Sequence, residues 1–508
     1  MGSGGGMAVS RGLPCVLLLL DCCWLCEAGA GLAPALYVLG DSQADAGTNN
    51  HLPTVLRADL PHNGVDYPGC KPTGRFSNGK NFVDFVAEHL KLPSSPPPYL
   101  SICNTPSSNS IYLSGVNFAS GGAGVSNQTN KGECISFDYQ IDRQFSKVHE
   151  SLVQQLGQSQ ASAHLSRSIF TVAIGGNDIL NYVRPSLVNQ VLSPCPPTQS
   201  PDEFVASLAL SLKDQLQRLY KLGMRRLFII GAAPLGCCPV LRGKVACDGV
   251  ANYMSSQYNI AVASLLRNMS DKYPDMLYSL FDPSTALLDY IRQPEANGYA
   301  VVDAACCGLG EKNAMFSCTP ASSLCKDRTN HIFWDFVHPT EITAQKLTEV
   351  AFHGSAPLVT PRNVRQLCDT AIRTPSAPRT TSAYETASVN ESQEHQKKTL
   401  HHVVEEALHD APGVEAEVLY PGYVQHNNDE EDAADKEYNP VEVLDGDDDE
   451  KQEDVVMGVF EDAKEDKPVK IYDRENPCID EGLVFHSPIS TEMQFQFSQS
   501  SMKLSSLL

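Results

Sequence analysis

Ala35-Leu36-Tyr37-Val38-Leu39-Gly40-Asp41-Ser42 is an unbroken apolar run that stops at a glycine, an acid and a serine. A short run without polar alternation, ended by turn residues, reads as a strand buried on both faces that feeds a loop. The pattern recurs at Ile169 to Ile174 before Gly175-Gly176-Asn177-Asp178, at Leu227 to Ile230 before Gly231, and at Leu277 to Phe281 before Asp282-Pro283. Between the second and third runs, Phe204, Leu208, Leu212, Leu216 and Leu219 share one helical face. Ser200 and Glu203 make a capping box ahead of it, Pro201 suits the first turn, and Gly223 follows the end. Strands alternating with helices predict an α/β three-layer sandwich around a mostly parallel central sheet, with the working loops at the carboxyl ends of the strands. No internal repeat interrupts this order.

The chain has 508 residues, 42% apolar and 19% charged, enough for a large core and too ordinary for a collagenous or wholly disordered protein. Its net charge of -22 is unevenly spread: residues 371–508 hold 11 Lys and Arg against 31 Asp and Glu, a net of -20, which leaves -2 for the rest. Without a basic face, recognition of a phosphate backbone is not expected, so nucleic acid is no partner. Beyond Cys368 the acidic runs Asp429 to Glu437 and Asp445 to Asp454 replace apolar periodicity. Residues 369–508 therefore read as an acidic, mostly disordered extension, with a short helix at Leu400 to Leu408 and a small second domain as the alternative.

Residues 1–30 read as a secretory signal peptide: Arg11 precedes the Leu17 to Leu20 run, and Ala28-Gly29-Ala30 supplies the small residues of a cleavage site. The run is too short to span a bilayer, Asp21 interrupts it, and no other stretch approaches the ~20 apolar residues of a membrane helix. Seventeen cysteines include four in this leader, and eleven of the remainder fall between Cys70 and Cys325, a density that fits disulfides in an oxidising compartment. The one C-x-x-C pair, Cys23 and Cys26, lies inside the leader, so zinc held by paired cysteines is not expected. Sequons at Asn127, Asn268 and Asn390 agree with a secreted glycoprotein.

Generic signatures exclude several chemistries. Gly74 to Lys80 fits G-x-x-x-x-G-K, but Asn81 stands where a magnesium-binding hydroxyl belongs and no apolar strand precedes it, so this is no P-loop. The G-x-S-x-G elbow of ordinary α/β-hydrolases is absent, as is G-x-G-x-x-G. What remains is Ser42, placed by a strand-ending turn above the sheet, and Asp335-Phe336-Val337-His338-Pro339 far along the chain. Taken alone, Ser42 reads first as a common turn or helix-capping serine, and His338 as a structural histidine. Spaced three apart in a turn, Asp335 and His338 can face the same way, so that the carboxylate holds the imidazole tautomer able to take a proton from Ser42.

Four blocks then fall in order: GDSQADAGTNN at Gly40 to Asn50, GVNFASGGAG at Gly115 to Gly124, GGND at Gly175 to Asp178, and DFVHPT at Asp335 to Thr340. They closely resemble the catalytic blocks of the GDSL esterase/lipase family, the SGNH hydrolases. TGRFSNG at Thr73 to Gly79, GAAPLGC at Gly231 to Cys237 and ACCG at Ala305 to Gly308 resemble its plant branch, so the likeness runs from about Pro34 to Leu367 within residues 31–368. The resemblance implies Ser42 as nucleophile, His338 as general base and Asp335 as its orienting carboxylate. It implies an oxyanion hole of the Ser42 N–H, the N–H of Gly121 or Gly122, and the Asn177 side chain. Gln43 stands where the family name has Leu; it follows the nucleophile and is expected to shape the neighbouring turn only.

The sequence thus predicts a secreted serine carboxylester hydrolase, an esterase or lipase working through an acyl-enzyme on a small-molecule or lipid ester, with no metal or organic cofactor. An acyltransferase would share the acyl-enzyme and pass it to an alcohol instead of water. A catalytically silent secreted binding protein would keep the scaffold and lose the chemistry. A product assay with added alcohol separates the first rival, and an active-serine probe the second.

Overall fold

The computed structural model describes residues 1–2, 31–105, 107–184 and 199–372. The signal-peptide reading of residues 1–30, beyond the first two, and the acidic extension from residue 373 onward lie outside the described residues. Five parallel strands, β1 (Leu36–Gly40), β2 (Gly115–Asn117), β3 (Ile169–Ala173), β4 (Arg226–Ile230) and β5 (Leu277–Phe281), form the central sheet. Two short strands, β6 (Val301–Ala305) and β7 (His331–Phe333), pair in parallel beside it, and β8 (Val359–Thr360) closes the sheet edge antiparallel to β5. The sheet order is β8-β5-β4-β3-β1-β2.

Each of β1, β3, β4 and β5 is buried at every position, which is why these strands read as continuous apolar runs rather than alternating ones. Helices α1 (Phe82–His89), α2 (Ser146–Leu156), α3 (Gln158–Arg167), α4 (Gly176–Val183), α5 (Pro201–Lys221), α6 (Gly249–Lys272), α7 (Pro283–Arg292), α8 (Glu341–His353) and α9 (Val364–Asp369) supply the cover. One group is α4, α5 and α6, packed on one another; α1, α8 and α9 are another, with α9 against β4 and β5. This is the three-layer α/β arrangement expected from the sequence.

The capping box of Ser200 and Glu203 and the Pro201 start are present in α5 as read. Leu208, Leu212, Leu216 and Leu219 are buried, whereas Phe204 is half-buried. The fully buried Gln215 on the same face was not foreseen, and its amide donates to Val125 O at 2.9 Å. A polar residue in an apolar stripe here anchors a loop rather than flawing a core.

From β1 the chain passes to β2 on one side and then to β3 on the other, so the topological switch falls at β1. A crevice opens there beyond the carboxyl ends of the strands. Gly40 ends β1 with φ 136°, and a Cβ there would stand 2.0 Å from Ala173 O, so only glycine lets β1 approach β3 as it turns. Buried Gln140 fixes the turn: its Oε1 accepts from Gly40 N and its Nε2 donates to Gly40 O, both at 2.8 Å.

Three disulfides among the described residues staple loops: Cys237–Cys247, next to Leu235 and Cys238 of the crevice wall, and Cys306–Cys325 and Cys307–Cys318. Among the described residues, Cys70, Cys134, Cys238 and Cys368 are free thiols. No helix of the described residues is long and apolar enough to cross a membrane.

Candidate active site

Ser42 stands two residues past the end of β1, half-buried, at the switch-point crevice. His338 and Asp335 arrive from the segment after β7, where a tight turn is closed by Trp334 N donating to His338 O at 2.8 Å. Trp334 is itself fully buried, and its Nε1 donates to Asn63 Oδ1 at 2.9 Å. The turn brings the two polar side chains together: Asp335 Oδ1 and Oδ2 lie 2.9 and 2.8 Å from His338 Nδ1. Asp335 Oδ1 also accepts from the backbone N–H groups of Val337 and His338, at 3.0 and 2.8 Å. With the carboxylate holding the proton on Nδ1, Nε2 is left as an acceptor, and Ser42 Oγ lies 2.7 Å from it. Ser42, His338 and Asp335 are therefore a connected hydrogen-bonded line, in which Ser42 and His338 stand 296 residues apart in sequence.

The expected oxyanion donors divide. Ser42 N and Gly122 N donate to no acceptor among the described residues, whereas Gly121 N donates to Asp45 Oδ2 at 2.9 Å. A Cβ on Gly121 would meet Phe76, whose ring faces His338 at 4.8 Å. A Cβ on Gly122 would meet Leu56 instead. Asn177, in the first turn of α4, uses one Nδ2 hydrogen on Ala123 O at 2.9 Å and keeps the other, and it lines the crevice together with Ser42 and His338. That bond ties Asn177 to the second block, so its amide plane is set before any ligand arrives. If the remaining hydrogen meets a developing oxyanion, Asn177→Ala should lower kcat on a p-nitrophenyl ester by ~10²–10³ with KM little changed. An unchanged kcat in steady-state assays would remove Asn177 from the hole.

Three buried acids that sequence reasoning passed over brace the blocks, and two of them tie one stretch to another. Asp45 accepts from Gly47 N and Thr48 N, both at 2.7 Å, as well as from Gly121, so the first block is sewn to the second. Burial pushes its carboxyl up to about 6, opposed by those N–H groups. Asp178 accepts from Val125 N, Ser126 N and Thr129 Oγ1, joining the third block to the loop after the second, and burial raises it too. Asp41, next to the serine, accepts from Gln43 N at 3.0 Å, and burial pushes it up to about 7 against the pull of that N–H and of His338. The signal for all three lay in the quoted blocks, but nothing in their spacing shows which acids turn inward.

Beyond Ser42 an apolar trench runs between the ends of β3 and β4, walled by Leu180, Ile230, Ala232, Leu235, Pro283 and Leu287. The stretch GAAPLGC supplies part of that wall, with Cys237 fastening its end through a disulfide. Cys238 also lines the trench, but burial pushes its thiol up to about 12, with Asp335 adding to the rise, so it stays protonated and offers no rival nucleophile. The P-loop look-alike has a scaffolding role instead: Arg75 forks onto Asp84 at 2.6 and 2.7 Å, Phe76 faces His338, and Asn78 Oδ1 accepts from Glu341 N at 2.8 Å.

The family model described as GDSL-like Lipase/Acylhydrolase matches residues 36–350, a span that contains all four blocks and the whole hydrogen-bonded line. The chain belongs to that family. Membership makes it an ester-bond hydrolase. Among curated relatives, the Arabidopsis thaliana protein named GDSL esterase/lipase At5g55050 is 41% identical over 349 residues, 66% of this chain and 90% of its own. GDSL esterase/lipase At1g71250 from the same plant is 35% identical over 348 residues, 67% of this chain and 90% of its own. The crystal structure of LAE5, an alpha/beta hydrolase enzyme from the metagenome of Lake Arreo, Spain, covers 63% of the hydrolase and 94% of its own chain at 15% identity and a TM-score of 0.27. At that score the likeness carries no weight, and the fold rests on the strand order itself.

Proposed function

We propose that this hydrolase is a secreted serine carboxylesterase or lipase working through Ser42, His338 and Asp335. One observation carries the reading: Ser42 Oγ lies 2.7 Å from His338 Nε2 while both Asp335 oxygens lie on the opposite ring nitrogen. Ser42 Oγ attacks the ester carbonyl as its proton passes to Nε2, and the imidazolium that forms is stabilised by Asp335. The carbonyl oxygen becomes an oxyanion facing the Ser42 N–H, the free Asn177 hydrogen and a glycine N–H of the second block. Collapse expels the alcohol, which takes the proton from Nε2, and leaves the acyl group on Ser42. Water, deprotonated by His338, then releases the acid and restores the serine.

The trench suits an apolar acyl chain, because a polar one would lose its hydration there without finding partners. Secretion is supported by the leader and by the three disulfides. The proposed catalytic unit extends to the end of α9, since Val364 and Leu367 are buried and Arg226 donates to the carbonyls of Leu367 and Cys368. Residues beyond it form the proposed acidic extension, which holds none of the site.

A fluorophosphonate probe tests the reading. Protein collected from the medium of secreting cells should be labelled at Ser42 with complete loss of ester hydrolysis. A folded, unlabelled protein would remove Ser42 from the nucleophile's place.

A further inference from the structure

Helices α1 and α8 run side by side in the same direction. At their first turns Glu341 joins them: its Oε1 accepts from Lys80 N at 2.9 Å and its N–H donates to Asn78 Oδ1 at 2.8 Å. At their last turns His89, Glu349 and His353 meet. His89 Nε2 lies 3.3 Å from Glu349 Oε2, His353 Nε2 lies 3.9 Å from Glu349 Oε1, and one ligand atom from each residue falls within 4.8 Å of the others. We propose that this cluster binds one divalent transition-metal ion, zinc by its donor set, as a structural clamp between the two helices.

Two imidazoles and one carboxylate are a zinc donor set, with a water in the fourth position. At Zn–N and Zn–O bonds of ~2.0–2.1 Å the ligand atoms of a tetrahedral site stand about 3.3 Å apart. The His89–Glu349 pair already has that spacing. Glu349 and His353 are one helical turn apart on a single face, and with side chains 60% and 52% exposed they can close the remaining gap without disturbing the core. His89 is held more firmly: its ring stacks on Phe352 at 4.7 Å and stands edge-on to His353 at 5.6 Å.

The electrostatics of the backbone point the same way. His89 and His353 are the last residues of their helices, so the partial negative ends of two parallel helix dipoles converge on the cluster. A cation there is favoured before any side chain is counted. Nitrogen donors select zinc over magnesium and calcium, which take oxygen ligands. The clamp would fasten α8, which starts just after His338, to α1, whose Phe82 lines the trench. It takes no part in ester cleavage, so it stands or falls independently of the proposed triad.

The test uses the full chain stripped with EDTA and titrated with zinc by calorimetry and thermal melting. Zinc should raise the melting temperature by a few degrees, and magnesium should not. His89→Gln and His353→Gln should each bind one zinc fewer per chain than the unsubstituted protein and lose the zinc-dependent rise. Their melting temperatures in EDTA should match that of the unsubstituted protein, which shows that they fold. A wild-type protein whose melting temperature ignores zinc, or variants that keep both the rise and the stoichiometry, would overturn the site.

Discussion

Ser42→Ala is expected to lower kcat on p-nitrophenyl esters by ~10⁴–10⁶-fold, because among the described residues no other hydroxyl lies against His338 Nε2. The melting temperature should stay nearly constant: Ser42 is half-buried in a turn, and the change deletes one hydrogen bond and little packing. His338→Ala should cost almost as much. The double variant should be no worse than either single one, since members of a triad act as a unit and their effects do not add. Asp335→Asn leaves the shape and reverses the hydrogen-bonding sense at one position, so Nδ1 loses its acceptor and the wrong tautomer is favoured, at ~10⁴-fold in kcat. Turnover and melting measured on the same preparations decide the matter. Folded Ser42→Ala protein with wild-type turnover would refute the assignment outright.

The parts of the structure legible in the sequence share a physical cause. Strands β1, β3, β4 and β5 are buried on both faces, so their identity is written locally as unbroken apolar runs, and the observed bounds fall within a residue of the expected ones. The Ser200 box is a contact between residues three apart and is equally local. Asp335 and His338 were legible for the same reason, one turn of chain bringing them together. Their meeting with Ser42 rested on the resemblance, because no local rule links residues 296 apart.

What escaped the sequence is long-range or very short. Strand β2 has three residues and takes its register from β1, and the two residues of β8 are a strand only because β5 offers an edge. Gly121 and Gly122 could not be separated by motif. In the structure they differ through their surroundings, one N–H committed to Asp45 and the other without an acceptor among the described residues. The inward turn of Asp45 and Asp178 was invisible because their partners are backbone N–H groups, which every residue but proline carries.

Arg75→Met is expected to destabilise the fold by ~3–5 kcal/mol, read as a lower midpoint in urea, although it touches no proposed catalytic group. Arg75 and Asp84 are both buried, at 6% and 3% exposure, and the guanidinium meets the carboxylate with two parallel bonds of 2.6 and 2.7 Å. Asp84 also accepts from Asn81 N at 2.9 Å and from Ser95 Oγ, so its ionised form is fully supplied. Removing the arginine strands that charge away from water. Lysine cannot replace it, because a single ammonium does not reproduce the fork.

The double variant Arg75→Met with Asp84→Leu removes the stranded charge and should recover much of the loss. A remainder of ~1 kcal/mol should persist, because Asp84 is also the acid of the capping box at the start of α1. The comparison separates two roles. Recovery in the double variant would place the cost in burying an unpaired carboxylate. An equal loss in single and double variants would mean that the fork itself holds the segment Thr73 to Gly79 in place, and with it Phe76 against the ring of His338. In that second case turnover should fall together with stability, since the imidazole would lose the wall that fixes its plane.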